Sequence, residues 1–360
     1  MTRRGFLKLL LASLAVLFFG GGGFLYKWLT RSNTTAESAA PADEKPAKPA
    51  SPSEHTPVPS GSPAPVEPLL SLFILSDLHV SIYDPNTEKK LHLALDDITN
   101  FEDKVETIVM TGDLTDYGTP NDYKKLRVIL DQYKLPPLHG NMGNHDYYDI
   151  WIDKNGSFNR ENMPNGKTDA QSRERFQSFF GLDKPYHDVW MNGVHLIMLS
   201  QEAYVQERPE VGEGAWYSDE QLEWLKQKMT EHRNGEPALV MIHQPLPPAG
   251  QDGGSHRLIR AKAFRSILEP YRNVFVFSGH QHQDFENGSP HYVQETFHWF
   301  HNSSVGRPLN RNFQEEAKNK SQGLYVQVYA DRVVLRGREF SKKAWIPSAF
   351  WTVPLEQSRV

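Results

Sequence analysis

The chain has 360 residues, a formal net charge of −5 and no cysteine. That length holds one large domain or two ordinary ones, and the charge balance excludes a protein that holds nucleic acid by bulk electrostatics. Without cysteine there is no disulfide, thiolate metal site, cysteine nucleophile or lipid-modified cysteine anchor, so any metal must sit on Asp, Asn, Glu or His.

Thr2-Arg3-Arg4-Gly5-Phe6-Leu7-Lys8 precedes an apolar run over 9–19 that only Ser13 interrupts. A basic head and an apolar stretch predict an export signal. The seven residues also resemble the twin-arginine signal pattern, which implies export of a folded protein with its cofactor loaded. Four glycines at 20–23 and Phe24-Leu25-Tyr26 extend the stretch to about the length of a membrane span. Residues 1–29 are thus either a removed signal or an uncleaved membrane anchor. The basic residues ahead of the span put the N-terminus inside and the remainder outside the cytoplasm. Residues 30–68 hold nine prolines among Ala, Ser, Glu, Lys and Thr, with no apolar period. They read as a disordered, semi-rigid linker to a domain at 69–360.

In that domain the apolar runs 69–75 and 107–110 predict buried strands, and 137–141 a weaker one. Between them, 86–103 and 120–133 carry helical stripes at Leu91, Leu95 and Ile98, and at Leu126, Ile129 and Leu130. Residues 147–168 are polar and aromatic without period, a long loop whose Tyr147, Tyr148 and Trp151 could cover a site or pack down on the fold. A helix follows at 169–180, then strands 186–190 and 194–199 joined at Asn192-Gly193, a hairpin signal. Ser218 and Gln221 mark a capping box for a helix at 218–232. Strand 238–242, helix 256–268 and strand 274–277 come next, with late strands at 292–300 and 324–335. Residues 336–360 should pack back on the domain. Alternating strand and helix predicts an α/β fold with parallel strands.

One regularity organises the chemistry. Asp77-Leu78-His79, Gly112-Asp113, Gly143-Asn144-His145-Asp146, His243 and Gly279-His280-Gln281-His282 each lie just after a strand. In open α/β sheets, ligands bind at the carboxyl ends of strands, so five strands aim their donors at one edge. Asp77 and His79, like His280 and His282, are one residue apart and point the same way on extended chain. Together these groups supply oxygen and nitrogen for two metal ions, and two divalent ions against two carboxylates leave a net positive site for a phosphate ester. His139 could support the site from behind, and His298 and His301 could line a pocket.

From about residue 70 to 300 the motifs, in this order, resemble the calcineurin-like metallophosphoesterase superfamily. The resemblance implies a four-layer α/β/β/α sandwich with the metal site at the carboxyl ends of the strands. It implies Asp77, His79 and His282 on a first metal, Asn144, His243 and His280 on a second, and Asp113 bridging. His145 would be the proton donor and transition-state stabiliser, with Asp146 its orienting partner. Gly112-Asp113-Leu114-Thr115-Asp116-x-Gly118, with Tyr123 beyond, is similar to the branch holding class III cyclic-nucleotide phosphodiesterases. Purple acid phosphatases carry Tyr where Asp116 stands, which argues against them. The metals expected are a pair from Mn, Fe and Zn. The expected activity is hydrolysis of a phosphodiester, small-molecule or envelope-borne, by a metal-activated hydroxide. A phosphomonoesterase and a non-catalytic envelope-anchored binding module are the alternatives.

Overall fold

The structure, a computed structural model, describes residues 67–356 apart from 233, 316 and 317. The expected signal or anchor, and the linker but for its last two residues, lie outside the described residues. Among the described residues no helix is long and apolar enough to cross a membrane.

Two six-stranded sheets form the centre. In the first, β1 (Leu70–Leu75), β2 (Thr107–Thr111) and β3 (Leu138–Asn141) run parallel. In the second, β4 (His187–Met191) pairs antiparallel with β5 (Val194–Met198), which runs parallel to β6 (Ala238–Met241) and β7 (Val274–Ser278). The short β8 (Tyr292–Gln294) and β9 (His298–His301) complete it, in the order β4-β5-β6-β7-β9-β8. β10 (Gln322–Val328), β11 (Arg332–Glu339) and β12 (Ala344–Pro354) return antiparallel to the first sheet, in the order β12-β11-β10-β1-β2-β3.

Strand alternation sorts the side chains into three cores. Leu70, Leu72 and Ile74 of β1 meet Leu196, Leu239, Phe275 and Phe277 between the sheets. Phe73 and Leu75 face the other way, onto Leu91, Leu95 and Ile98 of α1 (Pro85–Thr99), Leu126 of α2 (Pro120–Leu130) and Phe176 of α3 (Asp169–Phe180). Ile197, Val240 and Val276 pack outward on Leu222 and Leu225 of α4 (Asp219–Met229) and on Phe264 and Leu268 of α5 (Ala261–Leu268). Strands buried on both faces are near-continuously apolar, and the layers run α/β/β/α.

Helix ends follow local chemistry. Thr119 caps α2 by accepting from the Asp122 N–H at 3.1 Å. The full capping box sits on α3, where Thr168 and Gln171 exchange bonds. At α4 only half of the expected box forms: Ser218 accepts from the Gln221 N–H at 3.0 Å, but the Gln221 amide bonds both backbone groups of Ser200. The stretch 292–300, expected as one strand, is the pair β8–β9, while 324–335 turns at Ala330-Asp331, as the sequence suggests, into the pair β10–β11. The segment after β3 opens not as loop but as a 3-10 helix, His145–Trp151.

Candidate metal centre

Asp77, Asp113, His243 and His280 each follow their strand (β1, β2, β6, β7) by two residues, and Asn144 follows β3 by three. Three of these strands belong to one sheet and two to the other, so the groups converge where the carboxyl edges of both sheets meet. The backbones are knitted across that edge: Asp77 N–H donates to Gly112 O at 3.2 Å, His79 N–H to Asp113 O at 3.0 Å and Gly279 N–H to His243 O at 2.9 Å.

The knit holds unusual backbone. Asp77, His79, Asp113, His280 and His282 all have φ between 49 and 70°, the left-handed region that costs a non-glycine residue on the order of 1–3 kcal/mol and persists where the surroundings over-determine it. Gly143 is needed for a different reason. A Cβ there would run into the Asp113 carboxylate and the His243 ring, so only glycine lets the β3 loop come this close.

Two groups of donors result. Asp77, His79, Asp113 and His282 offer atoms all within 4.8 Å of one another, and so do Asp113, His243 and His280. Asp113 is shared. Its Oδ2 lies 3.1 Å from His243 Nε2 and 3.8 Å from His79 Nε2, while its Oδ1 accepts from the His145 N–H at 2.9 Å. Asn144 joins the second group, with its Oδ1 3.0 Å from His280 Nδ1.

The donor set fits cations. His243 Nδ1–H donates to Thr111 O at 2.8 Å, which leaves Nε2 as a buried, unbonded nitrogen facing a carboxylate. His79 Nδ1–H donates to Asp116 at 3.1 Å, so its Nε2 too is a lone pair, 3.0 Å from His282 Nε2. That nitrogen of His282 is 3.1 Å from Asp77 Oδ1. Lone pairs and carboxylates packed this tightly need positive charge among them, and imidazoles held at the far nitrogen are the usual form of metal-ligating histidine. Burial works against a charged His243, but Asp113 and Asp77 raise its pKa to about 9. Asp77 is likewise pushed up by burial and pulled down by His282 and His243 to about 2.

His145 stands at the mouth, with 24% of its side chain exposed. Its ring lies between His79, edge-on at 4.5 Å, and Tyr148, stacked at 4.1 Å. Its Nδ1–H donates to the Asp116 carbonyl at 2.9 Å, with the Asp116 carboxylate 3.3 Å away, and Nε2 is left as the reactive nitrogen. Against the effect of burial, Asp113 and Asp116 raise its pKa to about 9.

The orienting partner of His145 is therefore Asp116, not Asp146. Asp146 is buried under the turn, where it accepts from Gly143 N–H at 3.1 Å, from the N–H and hydroxyl of Thr115 at 3.2 Å each, and from the Tyr123 hydroxyl at 3.3 Å. Carboxylate and ring, though adjacent in sequence, leave the 3-10 turn in different directions. Asp116 is held in turn by Arg307, which donates to both of its oxygens at 2.8 and 2.9 Å. On the other side Glu213 accepts from Asn144 Nδ2 at 2.9 Å and from the hydroxyls of Tyr148 and Tyr204 at 2.8 and 2.9 Å. That fixes which end of the amide faces the centre. Sequence reasoning missed Arg307 and Glu213, which lie in no motif. Tyr147, Tyr148 and Trp151 are buried, packed down on the fold. His139 pairs with His187 at 5.6 Å, away from the centre.

The chain belongs to the calcineurin-like phosphoesterase family, whose model matches residues 70–284. Among curated proteins it is similar to a probable cyclic nucleotide phosphodiesterase of Synechococcus sp., 26% identical over 51% of this chain and 60% of that protein. It is also similar to the 3',5'-cyclic adenosine monophosphate phosphodiesterase CpdA of Escherichia coli, 21% identical over 59% of this chain and 67% of that one. These alignments span about two thirds or less of the relatives' own lengths. Among solved structures, a dimetal phosphatase from Danio rerio matches at a TM-score of 0.55 and 15% identity over 81% of this chain and all of that one. A purple acid phosphatase from yellow lupin matches at 0.53 and 13%, over 79% of this chain and 53% of that one. These structures share the fold, and the family implies a binuclear metal site.

Proposed function

We propose that the protein is a binuclear metallophosphodiesterase. The carrying observation is the pair of donor groups that share Asp113, with a separately held imidazole at their mouth. In this reading Asp77, His79 and His282 would hold one ion and Asn144, His243 and His280 the other, with Asp113 available to both. The ions, a pair from Mn, Fe and Zn, would polarise the phosphoryl oxygens and activate water. The chain's own residues do the remainder. His145, oriented by Asp116, gives its Nε2 proton to the departing alkoxide. Arg307 and Glu213 keep Asp116 and Asn144 in place. The diester preference is supported by the names of the curated relatives.

The test is hydrolysis of bis-p-nitrophenyl phosphate by the purified Mn²⁺-loaded protein, with p-nitrophenyl phosphate beside it. Diester turnover should exceed monoester turnover. His145→Ala should lower kcat on the order of 10²–10⁴-fold while two metals per chain remain by elemental analysis. Asp113→Ala should lose the metals. A fully loaded protein inert on both esters would leave a binding module, and a preference for the monoester would make it a phosphatase.

We also infer that residues 1–29 deliver the domain outside the cytoplasm, by the basic head and apolar run alone. Converting Arg3 and Arg4 together to lysine should leave the protein in the cytoplasmic fraction, and unchanged export would refute the twin-arginine route.

A further inference from the structure

A cavity of about 360 Å³ is lined in part by Gln281, the residue between the donors His280 and His282. Its lining includes Arg257, Arg311, Gln281, Gln283, Trp299 and His301, and contains no carboxylate. Two chain connections tie it to the centre. Gln281 sits between His280 and His282, so one residue faces the cavity while its neighbours face the metals. Arg257 follows His256, whose Nδ1 is 3.2 Å from His280 Nε2.

Arg257 is the informative residue. It is half-buried, and among the described residues its guanidinium has no carboxylate partner and one long bond, to Leu246 O at 3.5 Å. Elsewhere in the fold a partly or fully buried arginine is neutralised: Arg307 by Asp116, Arg265 by Glu295, Arg338 by Asp97. Burial also pulls the Arg257 pKa below the ordinary arginine value with no carboxylate acting against it. A desolvated cation without a counter-charge is costly, and a guanidinium presents its donors as a fork suited to phosphate or carboxylate. The Gln281 amide adds a neutral hydrogen-bonding group and Trp299 a flat apolar wall, while the Gln283 amide is held by Asn287, Ser289 and the Gln281 carbonyl.

We propose that this cavity binds a second anionic group of the substrate, so that the preferred substrate is a phosphodiester carrying another phosphate or carboxylate next to the scissile one. The inference rests on the phosphodiesterase reading and deepens it. The lining shares one chain segment with the donors His280 and His282, so the substrate class in question carries two anionic groups on one nucleotide or polyol unit. A repeating phosphodiester polymer and a nucleotide with a further phosphate share this chemistry.

The experiment uses the full chain loaded with Mn²⁺ and two chromogenic diesters: thymidine 5'-(p-nitrophenyl phosphate) and its 3'-phosphorylated form. The 3'-phosphate should lower KM roughly tenfold or more, as a hydrogen-bonded charge pair would, with kcat changed little. In Arg257→Gln that preference should collapse to near unity, and Arg257→Lys should restore part of it. Metal content and thermal midpoint, measured in parallel, show whether the variants are intact. Equal KM values for the two diesters in the wild type overturn the proposal. If neither diester is turned over, the phosphodiesterase reading fails, and inorganic phosphate titrated into metal-stripped protein decides the cavity. Binding there that Arg257→Gln abolishes upholds the anion site, and no binding, or binding indifferent to the variant, refutes it.

Discussion

Asp116 has four demands on one carboxylate group and its peptide. The carboxylate accepts from His79 Nδ1–H and from both Arg307 nitrogens, and the carbonyl from His145 Nδ1–H. In the proposed reading it thus couples His79, a metal ligand, to His145, the proton donor. Asp116→Asn keeps the shape, leaves the carbonyl bond to His145 intact and removes the charge. Arg307 would keep Asp84, at 3.1 Å, as its carboxylate partner. Groups placed behind metal ligands typically carry 10- to 100-fold in metal affinity or activity. We expect Asp116→Asn to lower kcat by roughly that factor with KM nearly unchanged, and to loosen the metal seen by His79. A metal titration beside the kinetics separates this from His145→Ala, which should lose turnover and keep its metals. An Asp116→Asn enzyme with wild-type kcat would remove Asp116 from the relay.

The strand ends decided how much could be read at the level of elements. Donors placed two or three residues after a strand are visible in one dimension, because a buried parallel strand is a short apolar run and its exit is abrupt. All seven expected ligand residues and His145 accordingly meet in space. What failed to show was anything set by contacts across the chain. Arg307 lies 191 positions from Asp116 and Glu213 69 from Asn144, and no local pattern marks either. Asp146 looked like the natural partner of His145 because it is adjacent, but the first turn of the 3-10 helix sends its carboxylate back to the Gly143 and Thr115 amides. The aromatic segment after it lacks a regular period, which left a cover over the site and packing on the fold both open. The short 3-10 helix buries Asp146 and Asp149 along with Tyr147, Tyr148, Ile150 and Trp151, so no exposed polar face alternates with an apolar one to give a period. At β8–β9 the turn is only Glu295-Thr296-Phe297, with neither Gly nor Pro to mark it, which hid the hairpin inside a single expected strand.

At the scale of the molecule the two sheets are joined at their carboxyl edge by the donor groups and at β3 and β4 by a pair of neutral histidines. His139 of the first sheet and His187 of the second stand 5.6 Å apart. Burial, with the nearby His139 adding to it, lowers the His187 pKa to about 4, and burial lowers His139 as well. The unfolded chain titrates its histidines near 6.5. Between that value and about 4 the unfolded state therefore binds more protons than the folded one, and stability falls as pH falls. The loss begins near pH 6.5 and levels off below about 4. Because His187 is only partly buried, the effect between pH 7 and 5 should be about 1 kcal/mol rather than the full value of the shift. The metal ligands would lose their ions over the same range, so the comparison belongs in chelator-treated protein. There, urea midpoints at pH 7 and 5 should differ more in the wild type than in His187→Gln, whose side chain does not titrate. Equal acid sensitivity in the two proteins would mean that the sheets are not joined through a pair that must stay neutral.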